Sequence, residues 1–261
     1  MISPLRHSAG LAALALAVLL PSTALADGFR YLSVSGLWGA DFKDVSGNGN
    51  TTETGHMSTV TVETFATWKY GDVFAFVDVA GGRFVPAVGD IPGRYTQIYG
   101  EVSPRLSLSK VFGTQVGAGF LSDVLVMGEF DRAGSGFYAN LGGLSFDLQV
   151  PGFVVFQVNA LARKDNYNDA TYQATLVWKA PFDIAGAGFS FEGFADVYGT
   201  DYESATVMAQ PQLVLDVGGL AGTDPGIFWL GTEWYLSRAY NFAKEETELY
   251  SVPQVMAKAV W

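Results

Sequence analysis

The chain has 261 residues, a formal net charge of −11 from 15 Lys and Arg against 26 Asp and Glu, and no cysteine. This acidity argues against a nucleic-acid-binding protein, which needs a basic face, and without cysteine no disulfide stabilises the fold. Glycine (31) and aromatic residues (19 Phe, 12 Tyr, 6 Trp) are abundant, while only 16% of residues are charged. That composition favours strands and turns over helices, with less charge than a soluble secreted domain normally carries on its surface.

The first 26 residues have the three parts of a secretory signal peptide in the correct order. Arg6 and His7 form a short basic start, residues 11–20 are an apolar run, and Ala24-Leu25-Ala26 is an A-x-A cleavage site. A buried N-terminal helix is the less favoured alternative. We therefore expect a single mature domain over residues 27–261. No later stretch approaches the roughly 18 apolar residues of a transmembrane helix.

The mature chain repeats one unit, in which apolar and polar residues alternate over about ten positions before a turn or a polar loop. In residues 59–68, Val60, Val62 and Trp68 share one face, while Glu63 and Phe65 share the other. Twelve strands are predicted in chain order: 29–42, 59–68, 73–79, 95–108, 115–125, 136–150, 153–163, 171–179, 188–198, 206–217, 227–238 and 248–261.

The last stretch, residues 248–261, alternates up to an aromatic residue on its apolar face, Trp261. That pattern is typical of the closing strand of an outer-membrane barrel, and an even strand number allows closure. A soluble sandwich also has alternating strands. However, one face here mixes large aromatics with carboxylates, which suits a narrow lumen better than a core or a solvated surface. The fold class predicted is all-β, a twelve-stranded antiparallel transmembrane β-barrel of outer-membrane type.

The connections and the prolines add two expectations. With a periplasmic N-terminus, the long loops at residues 43–56 and 81–93 are extracellular. Pro104, Pro211 and Pro253 lie inside the fourth, tenth and twelfth strands, always on the predicted outward face. Since each proline removes a ladder donor, we expect a β-bulge beside each.

The mixed face supplies the candidate site residues. Twelve strands form a tube that inward aromatic side chains constrict further, and aromatic faces beside amides and carboxylates suit a nucleobase and its ribose. The predicted pore-lining residues are Glu63, Phe74, Phe76, Asp78, Tyr99, Glu101, Arg105, Glu192, Phe194, Asp196, Gln210, Gln212, Glu233, Tyr235, Gln254 and Lys258. For any one of them a structural role is the alternative. Glu101 and Arg105, four apart on one strand face, are expected to neutralise each other in that case.

Catalytic and metal chemistry have weaker support. His56 is the one histidine after the signal peptide, and it is predicted to lie in the first loop with no nucleophile motif around it. Neither a zinc spacing, nor a phosphate loop, nor a dinucleotide fingerprint is present. Asp41 and Asp44 are loop carboxylates without the spacing of a calcium loop. We expect no enzyme, no cofactor and no metal site.

Several segments resemble one family. E-V-S-P-R-L-S-L at residues 101–108 resembles the E-x-S-P-R-L-S-L segment of the Tsx/OmpK-like nucleoside-specific channel-forming outer-membrane proteins, and G-D-V-F-A-F-V-D-V at 71–79 resembles their third strand. Val252-Pro253-Gln254 before a terminal aromatic is similar to their closing strand. Weaker similarity covers residues 189–198 and 231–235. The resemblance implies a twelve-stranded barrel that passes nucleosides by diffusion, with loops that serve as phage receptors in some members.

The function hypothesis is a passive channel of the bacterial outer membrane for small solutes, with nucleosides favoured. Glu101, Arg105, Asp78, Phe74 and Phe76 are expected to set constriction and selectivity, and an excess of lumen carboxylates should disfavour anions. The barrel is expected to be a monomer in contact with lipid and not with nucleic acid. Two alternatives stay open: a non-conducting surface receptor or anchor, for phage or adhesion, and a barrel enzyme that uses His56.

Overall fold

The computed structural model describes residues 28–42, 55–84, 93–202, 205–241 and 246–261. The predicted signal peptide, residue Asp44 and most of both predicted long loops lie outside them. The described strands are β1 Arg30–Phe42, β2 Gly55–Trp68, β3 Gly71–Phe84, β4 Gly93–Ser107, β5 Leu121–Ala133, β6 Tyr138–Leu148, β7 Val155–Asp165, β8 Thr171–Ile184, β9 Ala187–Tyr198, β10 Thr206–Ala209, β11 Gln212–Asp216, β12 Phe228–Asn241 and β13 Glu246–Val260. Two short helices are α1 Leu108–Phe112 and α2 Val217–Leu220.

The sheet is antiparallel throughout and closes on itself. Apart from β10 and β11, consecutive strands pair with each other, and β13 also pairs with β1 from Ser33↔Val260 to Gly39↔Gln254. Beyond that ladder, Trp261 and Leu32 exchange backbone hydrogen bonds at 2.8 and 3.0 Å. Strands β10 and β11 lie end to end between the same neighbours, β9 and β12. They therefore occupy a single strand position in the wall of the barrel. The thirteen strands thus form the predicted closed twelve-stranded barrel, which is confirmed.

The outer surface of the barrel is apolar. Large hydrophobic side chains stay exposed on nearly every strand, including Trp38, Val60, Val79, Leu106, Val126, Leu144, Phe191, Leu213, Trp234 and Val255. A soluble protein rarely exposes so continuous an apolar surface, whereas a transmembrane barrel presents it to lipid and turns its polar side chains inward. Among the described helices, none has both the length and the apolar character needed to span a bilayer.

The expectation of a bulge beside each proline is wrong, because none of the strands that carry them shifts register at the proline. The register of β4 against both neighbours is the same before and after Pro104. At Pro211 the ladder is interrupted between β10 and β11, and pairing resumes in the same register. The missing donors are thus absorbed by short gaps in the ladder. Near Pro253, which is exposed between buried Val252 and Gln254, a register shift does occur, but in the β1–β2 pairing after Gly39.

Two predicted boundaries are corrected. The fifth strand was expected at 115–125 but runs Leu121–Ala133, because the chain first forms α1. Ser107 caps that helix by accepting a 3.1 Å hydrogen bond from the Lys110 N–H, and Gly113 ends it in the left-handed conformation. The second correction concerns β2, which begins at Gly55, so that His56 lies in a strand and not in the first loop.

One hairpin turn shows how tightly the strands are joined at the end of the barrel that carries the chain termini. Residues 185–186 connect Ile184 to Ala187, which pair directly. Both turn residues have positive φ, 52° at Ala185 and 85° at Gly186, as a type I′ turn requires. The short turn at residues 69–70 joins β2 to β3 at the same end.

Three small apolar clusters fill parts of the interior. One consists of Met127, Ala139, Leu141 and Leu161, a second of Leu37, Val214 and Met256, and a third of Phe42, Tyr250 and Val252. The first and third clusters pack side chains of neighbouring strands against one another, whereas the second brings Val214 of β11 against β1 and β13, from which β12 separates it in the wall. The interior is therefore only partly polar, in contrast to the charged and aromatic lumen expected from the alternation.

Candidate functional site

Contacts between strands that are not neighbours identify the inner face of the barrel. The Lys258 ammonium on β13 lies 2.7 Å from the Glu192 carboxylate on β9, and two other strand positions separate these strands. Gln173 on β8 likewise donates a 3.1 Å hydrogen bond to Glu129 on β5. Such pairs meet only through the interior, so strand alternation then assigns every second residue to the inner face.

The residues predicted to line a pore all lie on this inner face. They divide into four groups by contact, described below, together with Glu101, which belongs to a separate carboxylate triad. Three half-buried positions remain: Glu63, Phe194 and Gln210. Gln210 directly precedes Pro211 at the ladder gap, where its backbone N–H donates to Phe194 at 3.0 Å. The structure gives the positions of these three residues, and their role in solute passage stays a prediction.

The first group is the arginine site, formed by Arg105, Asp72, Asp147 and Ser145. The guanidinium of Arg105 binds Asp72 through two hydrogen bonds of 2.7 and 2.9 Å and reaches Asp147 at 2.8 Å and Ser145 at 3.0 Å. It thereby joins β3, β4 and β6 near the short turn at residues 69–70. The expected neutralisation of Glu101 by Arg105 is wrong, because the geometry of the wall offers Arg105 two other carboxylates.

The second group is the lysine bridge, formed by Lys258, Glu192, Lys179 and Tyr31. Glu192 accepts from Lys258 and from Lys179, each at 2.7 Å, and both ammonium groups lie 5.8 Å from the ring centre of Tyr31. Strands β8 and β1, which carry Lys179 and Tyr31, stand on distant parts of the wall. The bridge thus crosses the interior at the end near the chain termini.

A small cavity adjoins the lysine bridge. It has a volume of about 60 Å³ and is lined by the bridge residues together with Val214 and Trp229. That is space for a few water molecules. A solute that travels along the barrel axis must pass beside this bridge or displace it.

The third group is the aromatic row of Phe74, Phe76 and Tyr99. Ring centres are 5.9 Å apart between Phe74 and Phe76 and 5.7 Å apart between Phe76 and Tyr99, and all three rings are half-buried. Asp78, the next inner residue of β3, accepts a 2.6 Å hydrogen bond from Thr61. The row was predicted residue by residue from the alternation of β3 and β4.

The fourth group combines amides with carboxylates on β11, β12 and β13. Glu233 accepts hydrogen bonds from Gln212 at 2.7 Å and from Gln254 at 3.0 Å, while Oε1 of Gln254 is buried without a partner. On β9, Asp196 accepts a 2.6 Å hydrogen bond from Thr175. Tyr235, in contrast, packs against Phe42 and Tyr250 in an aromatic cluster. Its surroundings indicate a structural role.

Sequence reasoning missed a carboxylate triad of Glu101, Glu129 and Asp131. One carboxylate oxygen from each residue lies within 4.8 Å of the others. Glu129 and Asp131 were assigned to a loop because the fifth strand was placed too early. The signal was present in the sequence, since Leu125, Met127, Glu129 and Asp131 alternate with Val126 and Phe130.

His56 offers no support for the enzyme alternative. It is exposed in β2, where it shares a face with Ser58 and Val60, whose side chains are also exposed. The inner face of that strand carries the odd-numbered residues such as Glu63. His56 therefore lies on the outer side of the wall, away from the clusters of the interior.

Comparison with known proteins found no matching family model and no matching curated protein. Among solved structures, the fold is similar to the KdgM porin in complex with disordered oligogalacturonate, at 7% identity and a TM-score of 0.48 over 87% of this chain and 98% of that one. It is also similar to OprB of Pseudomonas putida, at 8% identity and a TM-score of 0.42 over 89% and 92%. A third is Omp33 of Acinetobacter baumannii, at 12% identity and a TM-score of 0.34 over 90% and 98%. At these values the likeness is one of barrel architecture alone.

Proposed function

We propose that this barrel is an outer-membrane channel through which small solutes diffuse passively. The observation that carries the proposal is the contrast between the two faces of the barrel wall. Hydrophobic residues face the lipid outside, and acids, amides and half-buried aromatic rings lie inside. A barrel needs only the outer pattern to stay in a membrane. An inner face with so many hydrogen-bonding groups suits transient contact with a polar solute.

Nucleosides are the substrate class that we favour. The aromatic row of Phe74, Phe76 and Tyr99 offers ring faces to a base, and Asp78 and Glu101 flank it with acceptors for ribose hydroxyls. Stacking on one ring contributes about 1–3 kcal/mol, which permits binding weak enough for release. The resemblance of residues 71–79 and 101–108 to nucleoside-specific channels supports the same choice.

A non-conducting receptor or anchor in the membrane is the second candidate. The observation in its favour is the lysine bridge, where Lys258 and Glu192 join separated strands through the interior. The apolar clusters around Val214 and Val252 fill further space. In this alternative the outer loops bind a partner such as a phage, and the interior serves stability only.

Planar-bilayer conductance with and without nucleosides separates the two candidates. A channel gives discrete current steps that added nucleoside reduces in a saturable way, whereas a plugged barrel gives none. Because each lost ring removes about 1–3 kcal/mol of stacking, Phe76→Ala should weaken nucleoside block by roughly 5-fold to 150-fold.

Phe191→Ala is the matched control, since that ring is exposed on the outer face, and it should leave the block unchanged. An equal loss in both variants would place the stacking site elsewhere. Current steps without any nucleoside effect would leave a channel for other solutes.

A further inference from the structure

The carboxylate triad of Glu101, Glu129 and Asp131 concentrates negative charge inside the barrel. The three residues come from two neighbouring strands, β4 and β5, with Glu101 paired to Asp131 in the ladder. Glu129 and Asp131 are only 4% and 3% exposed. Like charges at this separation and depth repel one another strongly, so the triad calls for a counter-charge.

The positively charged residues of the surrounding wall do not fully neutralise the charge of the triad. Arg132, next to Asp131 in the chain, directs its guanidinium to the backbone carbonyls of Asp131 and Ala139 and to Asn140. Arg163 on β7 is the other positive group near the triad, and its guanidinium lies 3.7 Å from Asp131. Its shorter contacts go elsewhere, to Gln173 at 2.6 Å and to Asp165 at 3.2 Å. A further carboxylate in this region, Asp196, increases the negative charge. With the carboxylates ionised, a single shared guanidinium leaves the triad with an excess of about two negative charges.

A second observation points to a missing ligand. Oδ1 of Asp131 is buried and has no hydrogen-bond partner, although a buried carboxylate oxygen normally has at least one. Glu101 accepts from the Ser103 hydroxyl and Glu129 from the Gln173 amide, so these two side chains are already held in place. Asp131 thus brings an unsatisfied oxygen to a preorganised cluster of acceptors.

We propose that the triad binds a divalent metal cation, with Ca²⁺ preferred. Carboxylate oxygens are the ligands that hard divalent cations favour, and Ca²⁺ takes them at about 2.3–2.6 Å. The three oxygens lie within 4.8 Å of one another, close enough to bind one ion, since two Ca²⁺ ligands on opposite sides of the ion stand about 4.6–5.2 Å apart. Ca²⁺ is preferred because it accepts oxygen ligands in a flexible geometry, whereas Mg²⁺ demands near-ideal octahedral geometry and gives up its water reluctantly. Water molecules complete the coordination on the side of the lumen.

This inference goes beyond the proposed channel and does not depend on it. A plugged barrel binds the ion as well as an open one, provided that water reaches the inner face. Binding measured at equilibrium on detergent-solubilised barrel therefore tests the site alone, and conductance tests the channel alone.

The experiment is calorimetric titration of the folded, chelator-treated barrel with CaCl₂ and, separately, with MgCl₂. We expect one Ca²⁺ per chain with a Kd on the order of 10⁻⁴–10⁻³ M, and weaker Mg²⁺ binding. Asp131→Asn removes a charged ligand without changing its shape and should weaken Ca²⁺ binding by about tenfold or more. Glu129→Gln should have the same effect, and it keeps its acceptor for Gln173 if the first variant folds poorly.

Glu233→Gln is the matched control, because it removes another buried inner-face carboxylate outside the triad and should change the Kd by less than about twofold. Two results would overturn the proposal. One is the absence of saturable Ca²⁺ binding up to about 10 mM, beyond the range of weak protein sites. The other is an equal loss in Glu233→Gln, which would mean diffuse attraction to an acidic interior.

Discussion

The arginine site and the carboxylate triad lie on the same inner wall and treat charge in opposite ways. At the arginine site, Arg105 is matched by Asp72 and Asp147 through near-ideal hydrogen bonds. In the triad, three acids share one arginine that is mainly engaged elsewhere. Charge inside this barrel therefore serves two purposes: fully paired groups hold strands together, and incompletely paired carboxylates are available to bind a cation.

Removing the cation of the arginine site should change the stability of the barrel most. Arg105→Met should lower the free energy of unfolding by about 3–5 kcal/mol, because it leaves the buried Asp72 and the half-buried Asp147 without their cation. Urea unfolding of the barrel in lipid vesicles measures the change. Arg132→Met, which removes a half-exposed arginine of β5, is the control and should cost about 0.5 kcal/mol. Equal losses in both variants would contradict a special role for the arginine site.

A smaller effect of opposite sign is expected in the triad. Glu129→Gln keeps the acceptor that Gln173 uses and removes one of the repelling charges. In chelator-containing buffer it should raise the free energy of unfolding by about 1 kcal/mol. The same unfolding assay measures it, and added Ca²⁺ should stabilise the wild type more than the variant, whose Ca²⁺ binding is weaker. Destabilisation of the variant without metal would show that the triad is already compensated.

Much of the fold was predictable from the sequence because period-two alternation records which face meets lipid. The closing strand and the inward residues Phe74, Phe76 and Glu233 followed from it directly. The predicted boundaries of the fifth strand were wrong because the five-residue helix α1, capped at both ends, precedes β5. That error concealed Glu129 and Asp131.

The partners of the inner residues were not predictable in the same way. Side-chain contacts in a barrel depend on the stagger between strands and on the distances across the interior. The sequence of a single strand determines neither of them. Arg105 reaches Asp147 two strands away, and Lys258 reaches Glu192. The ladder gap at Pro211 likewise depends on both neighbours of that strand.

The central claim is that solutes cross the barrel by passive diffusion. Uptake of a radiolabelled nucleoside into proteoliposomes tests it most directly, with liposomes that lack the protein as the reference. The account predicts faster entry with the barrel, equilibration at equal internal and external concentrations, and slower entry when unlabelled nucleoside competes. Entry at the rate of protein-free liposomes would contradict the channel and leave the membrane receptor as the better explanation.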